Sequence, residues 1–259
     1  MSDSIKIVFT GTGSGKSSLN RFHSSFLIRS DSYNLQVDAG DGISRALLRL
    51  GIDFNEIDGI LITHFHPDHY SGLITLIQQM KLMNRQMPLD LFVSKGNINF
   101  IKELLTRSFL FEERLPFLMN IQKIETGKKI EFRGKFTLTA RENSHLEKYR
   151  EYGVKAGDLK SYSLEIVSGT GELFYSGDVG APADLGQFSF NSGSILVTET
   201  THVPVENVIE IISSNDLKKV ILTHLDSDDP SSLLAKITTL YPDGLNKFTV
   251  AHDGLMLTV

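Results

Sequence analysis

Residues Leu61–His69 read Leu-Ile-Thr-His-Phe-His-Pro-Asp-His, and this stretch decides the fold prediction. The run from Gly59 to Thr63 is nearly continuous in apolar residues, as in a strand buried on both faces. Three imidazoles and a carboxylate follow it directly, although the whole chain holds only eight histidines. The alternative is a polar turn that exposes several histidines. The density of ligand-type side chains favours a metal site at the carboxyl end of a buried strand.

The spacing of these side chains predicts two adjacent metal positions. His64 and His66 are two residues apart, so they project to the same side of an extended segment. Pro67 then bends the chain and brings Asp68 and His69 around a second centre. Because the chain contains no cysteine, imidazole and carboxylate groups alone would hold any metal.

The segment His64–His69 resembles the His-x-His-x-Asp-His signature of the metallo-β-lactamase superfamily. The resemblance extends to three later segments, each at the end of a predicted strand: Asn143-Ser144-His145, Tyr175-Ser176-Gly177-Asp178 and Leu222-Thr223-His224. It implies a dinuclear site in which one metal is held by His64, His66 and His145, the other by Asp68, His69 and His224, and both by Asp178.

The same resemblance implies the chemistry of the site. Two divalent ions about 3.5–4 Å apart lower the pKa of a bridging water and stabilise charge on an attacked phosphoryl or carbonyl centre. We therefore expect a hydrolase that uses a metal-bridging hydroxide, with Asp68 also in the catalytic set. A ligand set of nitrogen and oxygen suits zinc, and manganese or iron would accept the same set.

Two further residues are candidates for orienting the ligating histidines. Asp38 lies in the segment Val37–Gly42, and Thr63 precedes the first ligand. Either side chain can pair with the outer ring nitrogen of a histidine and so fix its tautomer. A turn-forming role is the alternative for Asp38.

The stretch Gly11–Ser17 reads Gly-Thr-Gly-Ser-Gly-Lys-Ser and ends like a Walker motif. The first glycine of that motif would fall at Thr10, and the following Ser24–Arg29 reads as a strand, whereas a phosphate loop opens a helix. We therefore reject nucleotide hydrolysis by this loop. Its opening instead resembles the strand-end loop with which ribonuclease Z and related phosphodiesterases of the superfamily begin.

Two later segments resemble the same branch: Glu199-Thr200-Thr201-His202 and Ala251-His252-Asp253-Gly254-Leu255. The resemblance places Glu199 and His202 in the catalytic set. It implies that His202 protonates the leaving alkoxide or holds a non-bridging phosphate oxygen, a task that suits a side chain with a near-neutral pKa. A helix-capping role before Pro204 is the alternative for His202.

The sequence departs from ribonuclease Z between the third histidine and the bridging aspartate, where that enzyme carries a long Gly-rich arm for tRNA. The segment from His145 to Asp178 is too short for the arm, and Glu147–Lys160 reads as a short solvated loop. A net charge of −5 also argues against broad capture of nucleic acid. We expect a small or cyclic phosphodiester, a nucleotide or an RNA 3′ end as substrate, and tRNA is disfavoured.

Two other functions stay open. A lactone or thioester hydrolase would use the same metals, and a non-catalytic module would keep only the fold. The intact ligand set argues against the second.

The order of predicted elements indicates an α/β protein with a single domain over residues 1–259. We predict strands at Ile5–Thr10, Ser25–Arg29, Leu35–Asp38, Gly59–Thr63, Leu91–Ser94, Ile130–Ala140, Tyr162–Val167, Leu173–Ser176, Ile195–Thr198, Val220–Thr223 and Phe248–Ala251. We predict helices at Ile43–Leu50, Leu73–Met83, Ile98–Arg107, Val205–Ser213 and Pro230–Leu240. The pattern fits the four-layer αββα sandwich of the metallo-β-lactamase fold.

The composition and the N-terminal segment indicate where the protein is located. Apolar residues make up 41% of the chain, yet no run is long enough to cross a bilayer, so we expect no membrane partner. Met1–Thr10 lacks the pattern of a secretory signal, and we expect a cytoplasmic protein. The apolar stretch Phe109–Met119 is compatible with a lid, a homodimer contact or plain core.

Overall fold

The computed structural model describes residues 4–259, so the first three residues of the segment Met1–Thr10 lie outside the described part. Within this part, fourteen strands, numbered along the chain, form two sheets of seven. The first sheet contains β1 (Lys6–Gly11), β2 (Ser25–Arg29), β3 (Asn34–Val37), β4 (Gly59–Leu61), β5 (Leu89–Ser94), β6 (Met119–Ile124) and β14 (Met256–Thr258). The second contains β7 (Lys129–Phe132), β8 (Phe136–Asn143), β9 (Ser161–Ser168), β10 (Glu172–Tyr175), β11 (Ile195–Glu199), β12 (Lys219–Thr223) and β13 (Phe248–Val250).

Helices cover the outer face of each sheet. The first sheet carries α1 (Ile43–Arg49), α2 (Pro67–Tyr70), α3 (Leu73–Leu82) and α4 (Ile98–Arg107), and the second carries α5 (Val205–Ser214) and α6 (Ser231–Leu240). Side chains alternate along the strands: Ile7 of β1 packs between the sheets, and its neighbour Val8 packs toward the helices. Between the sheets, the ring of Phe26 meets Tyr175 edge-on at 4.9 Å. The predicted α/β sandwich of four layers is confirmed.

The carboxyl ends of several strands meet at one edge of the sandwich. In the first sheet β3, β4 and β5 are parallel neighbours, and in the second β10, β11 and β12 are. Strand β9 is antiparallel to both β8 and β10, so β8 runs in the same direction as β10. Residues that follow these strands therefore converge at the same edge, where α/β proteins collect their functional side chains.

The structure corrects one strand prediction and adds two strands. The single strand predicted at Ile130–Ala140 is the hairpin of β7 and β8, because Arg133 and Gly134 both adopt positive φ (46° and 71°) and reverse the chain. Strand β6 was not predicted; as an edge strand it keeps much of its surface exposed and lacks an apolar run. Strand β14 has only three residues, too few for a pattern.

The stretch Phe109–Met119 is partly core. Leu110, Phe117 and Met119 are buried beneath the helices of the first sheet, whereas Phe109 and Leu118 are 76% and 58% exposed. Core packing thus accounts for three of these side chains. Across residues 4–259, no helix combines the length and apolar character needed to span a bilayer.

Candidate metal centre

Four of the predicted ligands follow β4 within one short segment. His64 is buried directly beyond the strand, and His66 is the extended residue that precedes α2. Pro67 opens this single helical turn, as its fixed φ allows, and the turn carries Asp68 and His69. The bend predicted at Pro67 is therefore the start of a helix. It directs the pair His64 and His66 and the pair Asp68 and His69 to neighbouring positions.

The other three predicted ligands follow strands of the second sheet. His145 comes after β8, Asp178 after β10 and His224 after β12, and all three are buried. Gly177 turns the chain into Asp178 with a φ of 60°, and a Cβ there would lie 2.8 Å from the carbonyl oxygen of Tyr162. Glycine is required at this turn both by its φ and by this close approach.

The first group of side chains consists of His64, His66, His145 and Asp178. Nδ1 of His66 lies 3.1 Å from Nε2 of His64 and 3.1 Å from Nε2 of His145. Oδ2 of Asp178 lies 3.9 Å from Nε2 of His64 and 3.8 Å from Nε2 of His145. Three imidazoles and one carboxylate thus face a common point.

The second group consists of Asp68, His69, His224 and, again, Asp178. Nε2 of His224 lies 3.4 Å from Oδ2 of Asp68 and 3.2 Å from Oδ2 of Asp178. Nε2 of His69 lies 3.5 Å from Oδ2 of Asp68 and 3.4 Å from Oδ1 of Asp178. All seven predicted residues are therefore brought together, and Asp178 belongs to both groups as a bridging ligand would.

The donor atoms fit a cation better than they fit one another. Nε2 of His69 and Oδ1 of Asp178 are buried without a hydrogen bond of acceptable geometry, even though 3.4 Å separates them. A buried polar group without a partner costs about 1–3 kcal/mol, so native proteins rarely leave two side by side. Each group offers only nitrogen and oxygen ligands within 4.8 Å of one another, a donor set that divalent metals accept.

The two groups differ in charge before any metal is considered. Burial raises the pKa of Asp178, but the charges of His224 and His69 outweigh burial and hold that pKa well below its usual range. Burial alone would lower the pKa of His224. Asp178 outweighs burial and raises the pKa of His224 to about 10. The pKa of His69 is also raised well above its ordinary value, against burial, by Asp178 and Asp38. A cation in the second group must therefore displace protons from His69 and His224.

The imidazoles of the first group are already neutral. Burial is the main cause that lowers the pKa of His145 to about 3 and that of His64 well below its usual range. At neutral pH both rings carry a free lone pair, as a metal ligand must.

Asp38 and Thr63 contact the outer nitrogens of two ligand histidines. The carboxylate of Asp38 lies 2.8 Å from Nδ1 of His69 and accepts hydrogen bonds from the backbone N–H and hydroxyl of Thr63. The Thr63 hydroxyl oxygen in turn lies 3.2 Å from Nδ1 of His64. With Nδ1–H donated outward, Nε2 of each ring faces the site. The orienting role predicted for both residues agrees with these contacts.

Glu199 and His202 lie beside the two groups. Glu199 is buried at the end of β11, and its carboxylate accepts from the backbone N–H groups of Thr201 and His202 at 2.5 and 2.7 Å. Its second oxygen lies 3.0 Å from Nδ1 of His202, whose ring centroid is 4.7 Å from that of His145. Helix α5 receives no side-chain cap at its start, so the capping alternative for His202 is not supported.

Glu199, His202 and His224 also lie close enough to share an ion. The carboxylate oxygens of Glu199 are, however, already occupied by the contacts that hold His202. The arrangement therefore favours positioning of His202 over a third metal position.

Tyr149 was missed by the sequence analysis. The segment Glu147–Tyr152 forms a helical turn, and the half-buried ring of Tyr149 meets that of His66 edge-on at 5.6 Å. The ammonium group of Lys148 lies 5.3 Å from the centre of the same ring. The prediction of a solvated loop thus agrees with the exposed side chains of Glu147 and Arg150 but not with the half-buried Tyr149. The sequence did offer one signal for Tyr149, since it is an aromatic residue inside a charged segment.

Comparisons with known proteins agree with this geometry. Ribonuclease Z of Thermoplasma volcanium is 26% identical over 85% of this chain and 82% of its own length. Among solved structures, YhfI of Bacillus subtilis, a metallo-β-lactamase fold protein, covers 99% of this chain and 100% of its own at a TM-score of 0.76 and 18% identity. The short form of human tRNase Z covers 97% of this chain and 98% of its own at a TM-score of 0.72 and 18% identity.

These relatives confirm the predicted superfamily, its ribonuclease Z-like branch and the prediction of a metal-dependent hydrolase. The clustered His and Asp side chains indicate divalent metals. The model of the family described as Anti-Pycsar protein Apyc1 matches residues 5–224, most of the chain. The chain belongs to the Anti-Pycsar protein Apyc1 family, within the ribonuclease Z-like branch of the metallo-β-lactamase superfamily.

Proposed function

We propose that this protein hydrolyses a small or cyclic phosphodiester at a dinuclear zinc centre. One ion would be held by His64, His66 and His145, the other by Asp68, His69 and His224, and Asp178 would be shared. The observation that carries the proposal is that Asp178 belongs to both groups of donor atoms, with Oδ2 facing His64 and His145 of the first group and His224 of the second. A shared carboxylate is what two-metal hydrolases need to hold their ions side by side.

Divalent ions bound in the two groups would lower the pKa of a water and offset the negative charge on the oxygens of the phosphoryl group under attack. The protein's own part begins with Asp68, whose side chain is 14% exposed and reaches the open side of the site, whereas Asp178 is 3% exposed. The charges and hydrogen bonds of His224 and His69 outweigh burial and keep the pKa of Asp68 below its usual range, so it is a carboxylate. Asp68 therefore orients the attacking water by accepting a hydrogen bond from it.

His202 supplies the proton for the leaving group. Its hydrogen bond to Glu199 raises the pKa of this imidazole, so a larger fraction is protonated near neutral pH. With Nδ1–H donated to Glu199, Nε2–H is free to protonate the alkoxide as the P–O bond breaks. The side chain is 29% exposed, so substrate can reach it.

The segment between the third histidine and the bridging aspartate supports a small substrate. Between His145 and Asp178 the chain forms only the turn Glu147–Tyr152 and the strands β9 and β10. No arm projects there to hold a folded RNA, and this argues against tRNA. The relatives named ribonuclease Z support a phosphodiester as the bond that is cleaved.

The test is turnover of bis(p-nitrophenyl) phosphate by the purified protein loaded with zinc or manganese, with a lactone and a thioester in parallel. We expect phosphodiester turnover with about two ions bound per chain. Two bound ions with hydrolysis of the carbonyl substrates alone would discard the phosphodiester proposal. A comparison of the cleavage rates of a cyclic nucleotide and of an RNA with a 3′ extension then shows whether the site prefers a small or a large substrate. We expect the cyclic nucleotide to be cleaved faster.

We also propose that residues 1–259 form one domain. The core between the sheets supports this, because it contains Phe9 and Leu61 of the first sheet together with Leu164 and Val197 of the second. A cytoplasmic location and a homodimer stay predictions.

A further inference from the structure

The loop from Ser14 to His23 includes the end of the Walker-like stretch and has no part in the proposed reaction. It lies between the metal centre and a cavity. On one side a Cβ at Gly15 would lie 3.2 Å from Oδ2 of Asp68, so the loop backbone passes directly beside a proposed ligand. On the other side residues 17–23 line a cavity of about 290 Å³. Asp41, Arg45 and Arg49 also line the cavity.

The lining of this cavity carries more positive than negative charge, and the neighbouring Asp228 accepts hydrogen bonds from Ser18 and Asn20 of the lining. Arg21, Arg45 and Arg49 contribute three positive charges, and Asp41 is the one carboxylate among the lining residues. The chain as a whole carries a net charge of −5, so this concentration of arginine runs against its overall charge. A concave surface with charge of one sign concentrates ions of the other sign.

The arginines have unused hydrogen-bonding capacity. The guanidinium groups of Arg45 and Arg49 form no ion pair or hydrogen bond within residues 4–259. Arg21 donates from one terminal nitrogen to the Thr12 hydroxyl at 2.7 Å and to the Ala251 carbonyl at 2.8 Å. Its Nε is buried and has no partner. Positive charge therefore comes from two separate parts of the chain, and the accessible free donors are those of Arg45 and Arg49 on α1.

We propose that this cavity is a binding site for a phosphate-bearing small anion, separate from the metal centre. Planar guanidinium groups match the oxygens of a phosphate in pairs, and several arginines on one cavity are the usual way to hold that group. The volume of about 290 Å³ admits a phosphate with part of a nucleoside. The ligand class is thus a nucleoside monophosphate or inorganic phosphate, which share the group that the arginines recognise.

The test counts phosphate sites by isothermal titration calorimetry of the metal-loaded protein, with inorganic phosphate in one arm and adenosine 5′-monophosphate in the other. Because phosphate also binds metal centres, the comparison is between variants. The double variant Arg45→Gln/Arg49→Gln is expected to bind one equivalent fewer than the parent protein, or to bind that equivalent at least tenfold more weakly. Both positions are exposed on α1, and glutamine is a good helix former, so the fold is kept.

The matched control is Arg107→Gln/Arg114→Gln, which removes the same charge from exposed positions elsewhere. We expect it to bind like the parent protein. An unchanged number and affinity of sites in Arg45→Gln/Arg49→Gln would overturn the proposal, as would equal weakening in the control. Tighter binding of the nucleotide than of phosphate identifies a nucleotide site, and equal binding identifies a phosphate site. Failure of the proposed function is seen separately, as absent turnover of bis(p-nitrophenyl) phosphate by the parent protein.

Discussion

Nδ1 of His69 lies 2.8 Å from Oδ2 of Asp38, although the two residues are 31 positions apart in the chain. Asp38 adopts a φ of 59°, which few residues other than glycine, asparagine and aspartate tolerate. That backbone conformation places its fully buried carboxylate between His69 and Thr63. The end of β3 thus determines which nitrogen of His69 faces the proposed metal.

Asp38→Asn is therefore expected to weaken metal binding without unfolding the protein. Asparagine accepts the positive φ but has one acceptor oxygen instead of two, so it cannot serve both His69 and Thr63. Loss of such an outer contact typically lowers metal affinity or activity about 10–100-fold. Competition with a chelator measures the affinity, and circular dichroism checks the fold. Parent-like affinity in the variant would show that Asp38 serves only the turn.

Asp178→Ala is expected to abolish turnover and to reduce the bound metal at both positions, because its carboxylate faces both groups. His66→Ala is expected to abolish turnover and reduce bound metal too, since it removes a ligand from the first group. Metal analysis of the purified variants beside a turnover assay measures both effects. Asp243→Ala, at an exposed position, is the matched control for loss of a carboxylate. Full activity and full metal content in either test variant would refute the proposed site.

The seven proposed ligands could be named from the sequence because their segments resemble the motifs of the superfamily, and each segment follows a strand that local patterns of apolar residues indicate. His64 and Asp178 lie on different sheets, yet both come directly after buried strands that end at the same edge. Ligands at strand ends can thus be predicted before the tertiary structure is known.

Features that depend on packing could not be predicted in this way. The reversal at Arg133 needs a positive φ that arginine has no local preference for. Tyr149 follows β8 of the second sheet and His66 follows β4 of the first, so no pattern along the chain indicates their contact. Arg21 and Arg45 come from separate segments, and no spacing along the chain indicates that they share a cavity.

Tyr149→Ala is expected to raise the KM for a nucleotide substrate. The ring of Tyr149 lies beside His66, and an aromatic ring at such a place can stack against a base. Stacking on an aromatic side chain is worth about 1–3 kcal/mol, or about fivefold to 150-fold in binding. Kinetics with a cyclic nucleotide and with bis(p-nitrophenyl) phosphate separate base binding from damage to the metal centre. Tyr152→Ala, whose ring is 74% exposed, is the control and should leave KM unchanged.

His202→Ala is expected to lower kcat about 100-fold to 10,000-fold, the usual contribution of a general acid, while metal content stays at that of the parent protein. The ring lies beside His145 but belongs to neither of the two four-residue ligand groups, so its loss leaves both groups whole. A substrate with a better leaving group needs less protonation, and its rate should fall less. An unchanged rate on both substrates would remove His202 from the mechanism.

Glu199→Gln is expected to move the alkaline limb of the pH–rate profile to lower pH. The hydrogen bond to Glu199 is the largest cause that raises the pKa of His202, and the glutamate charge adds to it. Because the protonated imidazole is the active form, activity is present below that pKa and is lost as the pH rises through it. A neutral amide removes the charge, the pKa of His202 falls, and the loss begins at a lower pH. Glu199→Asp keeps the charge and should retain more of the parent profile. If kcat in Glu199→Gln falls by the same factor at every pH, the glutamate acts on the backbone turn and not on the proton of His202.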